Sequence, residues 1–228
     1  MFIRFIDITV TSTVGLILAR GGSRGIPLKN LQLVGSETLL QRAIVTTRLA
    51  GLDKIIVSTD HLLIALEALK SGAKVFHRSC VTATDVAPSI WGVAEYLEND
   101  KSASLVVLVQ ATSPFSRPER IRSALRLIEQ FDCVFSVTRS YKLRWKQGHS
   151  NVLPLNFKIH SRPRRQDWKG ELLETGAFYV TRRHLLLQGY FQNNNCTVVE
   201  VSQLESLEVD TYDDLELANI LNLKFFHQ

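Results

Sequence analysis

Short apolar runs along this chain alternate with stretches in which apolar positions recur every three or four residues. The two periods predict strands interleaved with helices. The runs fall at Thr13–Ala19, Ile55–Ser58, Lys74–Phe76, Leu105–Gln110 and Cys133–Val137. Between them Leu62, Ala65, Leu66 and Leu69 stand at i, i+3, i+4 and i+7, as do Ile121, Ala124, Leu125 and Ile128. Each set is expected to lay one helical stripe against a sheet. The alternation predicts an α/β fold: a mainly parallel open sheet with helices on both faces. Ser116-Arg117-Pro118-Glu119 has the form of a capping box with a proline in the first turn. It places Gln110-Ala111-Thr112-Ser113-Pro114 at the carboxyl end of a central strand, the edge at which open α/β sheets bind ligands. Gln110 and Ser113 are candidates by position, although as bare residues they are ordinary turn formers.

After Val137 the alternation fails. The chain becomes basic, aromatic and punctuated by proline through Trp145, Pro154, Pro163 and Trp168, and reads as a protruding excursion spanning 139–175. Ala177–Thr181 and Thr197–Val201 read as further strands, and Asp213–Leu223 as a closing helix capped near Thr211. The expected organisation is one domain over 13–228 with an N-terminal extension at 1–12, without repeats or low-complexity segments.

With 228 residues, 45% hydrophobic and 21% charged, the chain can bury a full core, and no long disordered stretch is expected. The formal charge of +5 is unevenly spread. Nine Lys and Arg residues lie between Arg139 and Lys169 against Asp167 alone, which leaves the remainder slightly acidic and assigns anion binding to that one segment. Cys80, Cys133 and Cys196 have neither C-x-x-C spacing nor an even count, so neither a zinc site nor a disulfide scaffold is expected. Arg4 and Asp7 interrupt the apolar N-terminus, which is too short for a membrane span and a poor match to a signal peptide. That apolar start and the sequon Asn195-Cys196-Thr197 point toward the secretory pathway and the Golgi. The cluster Arg162-Pro163-Arg164-Arg165 points toward the nucleus.

The candidate chemistry begins at Arg20-Gly21-Gly22-Ser23-Arg24-Gly25-Ile26-Pro27-Leu28-Lys29-Asn30, directly after the first apolar run. Glycines let backbone N–H groups approach phosphate, while Arg20 and Lys29 neutralise its charge. The spacing fits neither a P-loop, since Lys29 is followed by Asn30, nor a dinucleotide fingerprint. An ordinary turn after a buried strand is the plain alternative. Glu208-Val209-Asp210 puts two carboxylates on one face of an extended segment, a donor set suited to Mg2+. A solvated acidic turn before the closing helix fits as well.

These motifs, together with Val57-Ser58-Thr59-Asp60, Gln110 to Pro114, Arg162 to Trp168, Gly176-Ala177-Phe178-Tyr179 and Val209-Asp210-Thr211, occur in an order that resembles the CMP-sialic acid synthetases. These are the N-acylneuraminate cytidylyltransferases, and the resemblance is to their animal members. It covers Thr13 to the final helix and implies a nucleotide-diphospho-sugar transferase-like fold. The implied reaction joins CTP and N-acetylneuraminate to give CMP-N-acetylneuraminate and pyrophosphate. Arg20 and Lys29 would hold the triphosphate, together with Gly21, Gly22, Ser23 and Arg24, and Asp210 with Glu208 would hold Mg2+. Asn30, Arg78, Asp85 and Ser89 would border the cytidine and ribose; a loop salt bridge is the alternative for Arg78 and Asp85. Gln110, Arg165 and Tyr179 would face the sugar. The excursion would form a homodimer, and because the chain stops soon after its closing helix, a single catalytic module is expected. Arg24, Glu208 and Thr175 depart from the family's usual lysine, aspartate and asparagine. The same pattern leaves a CMP-Kdo or CMP-Kdn type synthetase, or a catalytically silent homologue acting as a binding protein, as alternatives. A nucleic-acid partner is not expected, since no recognised module accompanies the basic patch.

Overall fold

A seven-stranded sheet runs through the computed structural model, which describes residues 12–226. The expected N-terminal extension lies outside the described residues except for Ser12, which opens the first strand. The strands are β1 (Ser12–Leu18), β2 (Leu33–Val34), β3 (Glu37–Thr38), β4 (Ile55–Thr59), β5 (Lys74–His77), β6 (Ala103–Val109), β7 (Cys133–Ser140), β8 (Trp145–Gln147), β9 (Val152–Pro154), β10 (Glu171–Arg182) and β11 (Cys196–Val201). The helices are α1 (Leu39–Leu49), α2 (Leu62–Lys70), α3 (Ser89–Asn99), α4 (Pro118–Leu127), α5 (Arg183–Leu187) and α6 (Tyr212–Phe226).

The sheet order is β11-β7-β10-β6-β1-β4-β5. All neighbours are parallel except β10, which runs antiparallel to β6 and β7. The fold is therefore the mainly parallel, helix-covered sheet that the periodicity predicts. The chain steps from β1 outward through β4 to β5, then returns to β6 on the other side of β1. That reversal opens a crevice at the carboxyl ends of β1, β4 and β6. Ile44, Ile64 and Ile121 on α1, α2 and α4 pack one face, and Val93, Leu97 and Leu186 on α3 and α5 the other. A third cluster of Ile26, Val34, Phe115, Val209 and Ala218 lets α6 clamp the loops above the sheet.

Four expectations need correction. In α2 the buried residues are Ile64 and Ala68, whereas Leu62, Leu66 and Leu69 are exposed. Almost every position of this helix is apolar, so periodicity does not choose its inner face. The Thr38 hydroxyl, 2.8 Å from Glu67 Oε1, helps fix the rotation instead. The Ser116 capping box does not form, because the residue before a proline is held extended and α4 starts at Pro118 after Arg117 (φ −104°, ψ 137°). Thr38 does cap α1, accepting from the Gln41 N–H at 3.0 Å, and Thr211 caps α6 reciprocally with Asp214. Cys133 and Cys196 form a disulfide with Cα atoms 4.7 Å apart, since the β7–β11 register puts them opposite one another. Finally, several cations of the excursion are spent on carboxylates: Arg139 on Glu200, Arg144 on Glu171 and Arg164 on Asp167.

β10 is also far longer than Ala177–Thr181. It carries an irregularity between Glu174 and Tyr179, where Gly176 adopts φ +71°. Among the described residues no helix is long and apolar enough to cross a membrane.

Candidate active site

Leu28, between Pro27 and Lys29, sits in the left-handed region (φ 47°, ψ 43°). This conformation costs a residue with a Cβ roughly 1–2 kcal/mol, and such strain gathers at ligand sites. It turns the chain into the short 3-10 turn Lys29–Leu31. Lys29 Nζ then lies 2.7 Å from Asp210 Oδ1, while the Asn30 side chain, buried, donates to the Arg20 carbonyl at 3.2 Å. Glycine at position 25 is a steric requirement: a Cβ there would stand 2.4 Å from the Asp210 carbonyl oxygen. The Gly21 N–H donates to Asp60 Oδ1 at 2.8 Å, so the aspartate closing Val57-Ser58-Thr59-Asp60 holds the glycine loop from below.

Around this loop the structure assembles a cavity of about 470 Å³ at the carboxyl edge of the sheet. Its wall contains Arg20, Ser23, Arg24, Gly25, Lys29 and Asn30 after β1, Arg78, Thr84, Asp85 and Ser89 after β5, Gln110 and Thr112 after β6, and Asp210 before α6. Four cations face two carboxylates, which leaves a positive site for an anion. Arg78 is buried, and burial lowers its pKa while Glu95 and Asp60 raise it. Its guanidinium reaches Thr82 and crosses α3 at Gly92, where a Cβ would come within 2.9 Å of Nη2. Asp85 pairs with Arg20 and Arg24, not with Arg78.

Glu208 stands beside the cavity. Its Oε1 lies 2.6 Å from where a Gly176 Cβ would be, so the bulge in β10 makes room for it. Burial pushes the Glu208 carboxyl up, the neighbouring Asp210 charge pushes it further, and Lys29 opposes both. A crowded pair of carboxylates of this kind suits a hard cation that takes its remaining ligands from water and phosphate. Among the described residues no three His, Cys, Asp or Glu side chains gather into a metal cluster.

Gly21 and Gly22 lie in the same loop but not on the cavity wall. Gln110 is on the wall, and its N–H donates to the Ala177 carbonyl at 3.0 Å. Tyr179 lies behind it, its ring centroid 6.5 Å from Phe135 and 5.3 Å from Phe191, and its hydroxyl donates to Glu174 at 2.5 Å. Burial and the Glu174 hydrogen bond push the Tyr179 phenol well up. Arg165 is farther away in the excursion, 4.9 Å above the Tyr141 ring. Thr175 is buried and donates to Ser136 Oγ at 2.7 Å, so its hydroxyl serves the interior. Sequence reasoning quoted Asp60 only as the end of a motif, and gave neither Thr82 nor Gly92 a role of its own. Only Asp60 left a signal, as a carboxylate just past a strand.

Residues 14–227 match the cytidylyltransferase family. Over 219 residues the chain is 38% identical to N-acylneuraminate cytidylyltransferase A of Danio rerio, covering 92% of this chain and 50% of that protein. It is 36% identical to N-acylneuraminate cytidylyltransferase of Oncorhynchus mykiss, again covering 92% and 50%. The chain thus spans about half the length of the curated relatives it matches. In fold it resembles CMP:2-keto-3-deoxy-manno-octonic acid synthetase complexed with CTP, with a TM-score of 0.72 at 18% identity, covering 94% of this chain and 99% of that one.

Proposed function

The chain belongs to the cytidylyltransferase family, and on that premise we propose that it activates N-acetylneuraminate with CTP, releasing pyrophosphate. The observation that carries this reading is the convergence of Arg20, Arg24, Lys29 and Arg78 on one cavity beside Asp210. Arg20, Arg24 and Lys29 bind the triphosphate. Asn30, Arg78 and Ser89 border the nucleoside. The sugar's anomeric hydroxyl approaches from the Gln110 side and attacks the α-phosphorus: a sugar O–P bond forms, the bond to pyrophosphate breaks, and the hydroxyl proton leaves to solvent. Displacement of this kind depends on positioning and charge neutralisation, which a cationic wall on a rigid sheet edge supplies. Glu208 and Asp210 would hold a magnesium ion, whose charge, when bound, stabilises the departing pyrophosphate.

The excursion exposes Trp145, Leu153, Leu155, Ile159, Leu172 and Leu173, an apolar surface that favours a homodimer. The disulfide favours an oxidising compartment such as the Golgi over the nucleus. Identities of 38% and 36% to animal N-acylneuraminate enzymes favour that sugar over Kdo. The test incubates the protein with Mg2+, CTP and N-acetylneuraminate, or with Kdo or Kdn, and follows pyrophosphate and CMP-sugar by mass spectrometry. CMP-N-acetylneuraminate is the expected product. Product with another sugar acid alone would replace the substrate, and none with any of them would leave a silent binding protein.

A further inference from the structure

The connection between β5 and α3 makes an unusual contact with the glycine loop. Asp85 is bonded to both arginines of that loop, Oδ1 to Arg20 Nη2 at 2.7 Å and Oδ2 to Arg24 Nε at 2.5 Å. Arg20 Nη1 also donates to the Thr84 carbonyl at 2.5 Å. Two of the four cavity cations are therefore already bridged by one carboxylate. The segment that supplies it is rooted at one end by Arg78, Thr82 and Glu95. Near its tip only Ala83 is buried, at 8% exposed, while Val81 is 67% exposed and Val86 84%.

We propose that Asp85 is an internal counter-ion of the phosphate site, displaced when a polyphosphate binds. The inference rests on the nucleotide reading of the cavity and adds a function for a residue otherwise assigned to the ribose. Asp85 takes Nη2 of Arg20 and Nε of Arg24 with the kind of charge-assisted contact that a phosphate oxygen pair makes, so a phosphate that uses those same donors has to displace it. While it is in place, Asp85 keeps both arginines turned toward the cavity and repels approaching anions. A monophosphate offers too little charge to replace it, whereas a triphosphate also engages Lys29. Asp85 thus filters ligands by charge, and the Thr84–Asp85 strap is released when the arginines turn to the ligand.

The test is calorimetric titration of the purified chain with inorganic tripolyphosphate and, separately, with CTP. Asp85→Asn should bind tripolyphosphate about tenfold tighter than the native protein, equivalent to roughly 1.4 kcal/mol, and should bind inorganic phosphate measurably. Equal or weaker tripolyphosphate binding overturns the proposal, and a loss confined to CTP would return Asp85 to the ribose. Asp85→Ser serves the same comparison if the asparagine variant does not fold. In the native chain, hydrogen exchange over residues 79–88 should quicken when tripolyphosphate is added, and unchanged or slower exchange overturns the strap's release. CTP turnover without the Asp85→Asn gain would sink the counter-ion role alone. The gain without any CTP binding would sink the nucleotide reading alone.

Discussion

Four cations converge on the cavity behind β1, where they share two carboxylates, Asp85 and Asp210, whereas the nine between Arg139 and Lys169 are dispersed, and Arg139, Arg144 and Arg164 each have a carboxylate of their own. The denser charge along the sequence is the less concentrated one in space. Arg139 and Arg144 find their partners, Glu200 and Glu171, outside the window in which the charge was counted. Arg162 and Arg165 lie over the rings of Phe157 and Tyr141 instead. What makes an anion site is convergence enforced by rigid elements, here a strained Leu28, a helix glycine beside Arg78 and a sheet edge.

The sharpest way to break this contrast is Lys29→Ala, which should lower kcat/KM for CTP about 10²–10³-fold, measured by pyrophosphate release. Cys133→Ser should cost about 2–4 kcal/mol of stability, since the disulfide closes a separation of 63 residues. It removes the cross-link at the Cys133 end of the β7–β11 pair, the sheet edge opposite the cavity, so chemical denaturation should show the loss while the KM for CTP stays near the native value.

Glu205 is a third case, a carboxylate 2% exposed and paired with Arg120 of α4. Burial alone pushes its carboxyl up, but hydrogen bonds from Arg120 and Ser202 outweigh that and hold it below the ordinary range. Its folded-state pKa is therefore lower than its unfolded one. The stability it contributes is present above the ordinary carboxylate value of about 4.3 and is lost as pH falls through the folded value. Thermal unfolding followed from pH 7 down to 3 should show Tm falling on the acid side, with a shallower fall in Glu205→Gln. At the small end, Arg139→Ala should leave kcat/KM for CTP within about threefold, because its partner lies on the protein surface and not at the ligand. A loss matching that of Lys29→Ala would erase the distinction between converging and dispersed charge.

Much of the cationic wall was legible in the sequence because its residues cluster on connections that follow apolar strands: Arg20 to Asn30 after β1, Arg78 to Ser89 after β5, Gln110 after β6. Thr211 was legible as a cap because its partner Asp214 is local. The rest depended on what lies far away in sequence. Cys133 meets Cys196 only through the β7–β11 register, and the inner face of α2 follows from a contact with Thr38. Glu208 is accommodated only because β10 bulges at Gly176. Tyr179 and Arg165, both assigned to the sugar by resemblance, lie apart from the cavity wall in this structure, Tyr179 in an aromatic stack and Arg165 over Tyr141.

The meeting of Lys29 with Asp210 joins positions 181 residues apart. During synthesis, β1, β4, β5 and β6 emerge early and can pair, yet the cavity lacks Asp210, one of its two wall carboxylates, until the last part of the chain leaves the ribosome. At ordinary elongation rates the 181 residues from Lys29 to Asp210 take roughly ten to forty seconds. A nascent chain can thus present its glycine loop well before the site that uses it is complete, and a ribosome-stalled fragment ending before Glu208 is expected to be inert however well its sheet has formed.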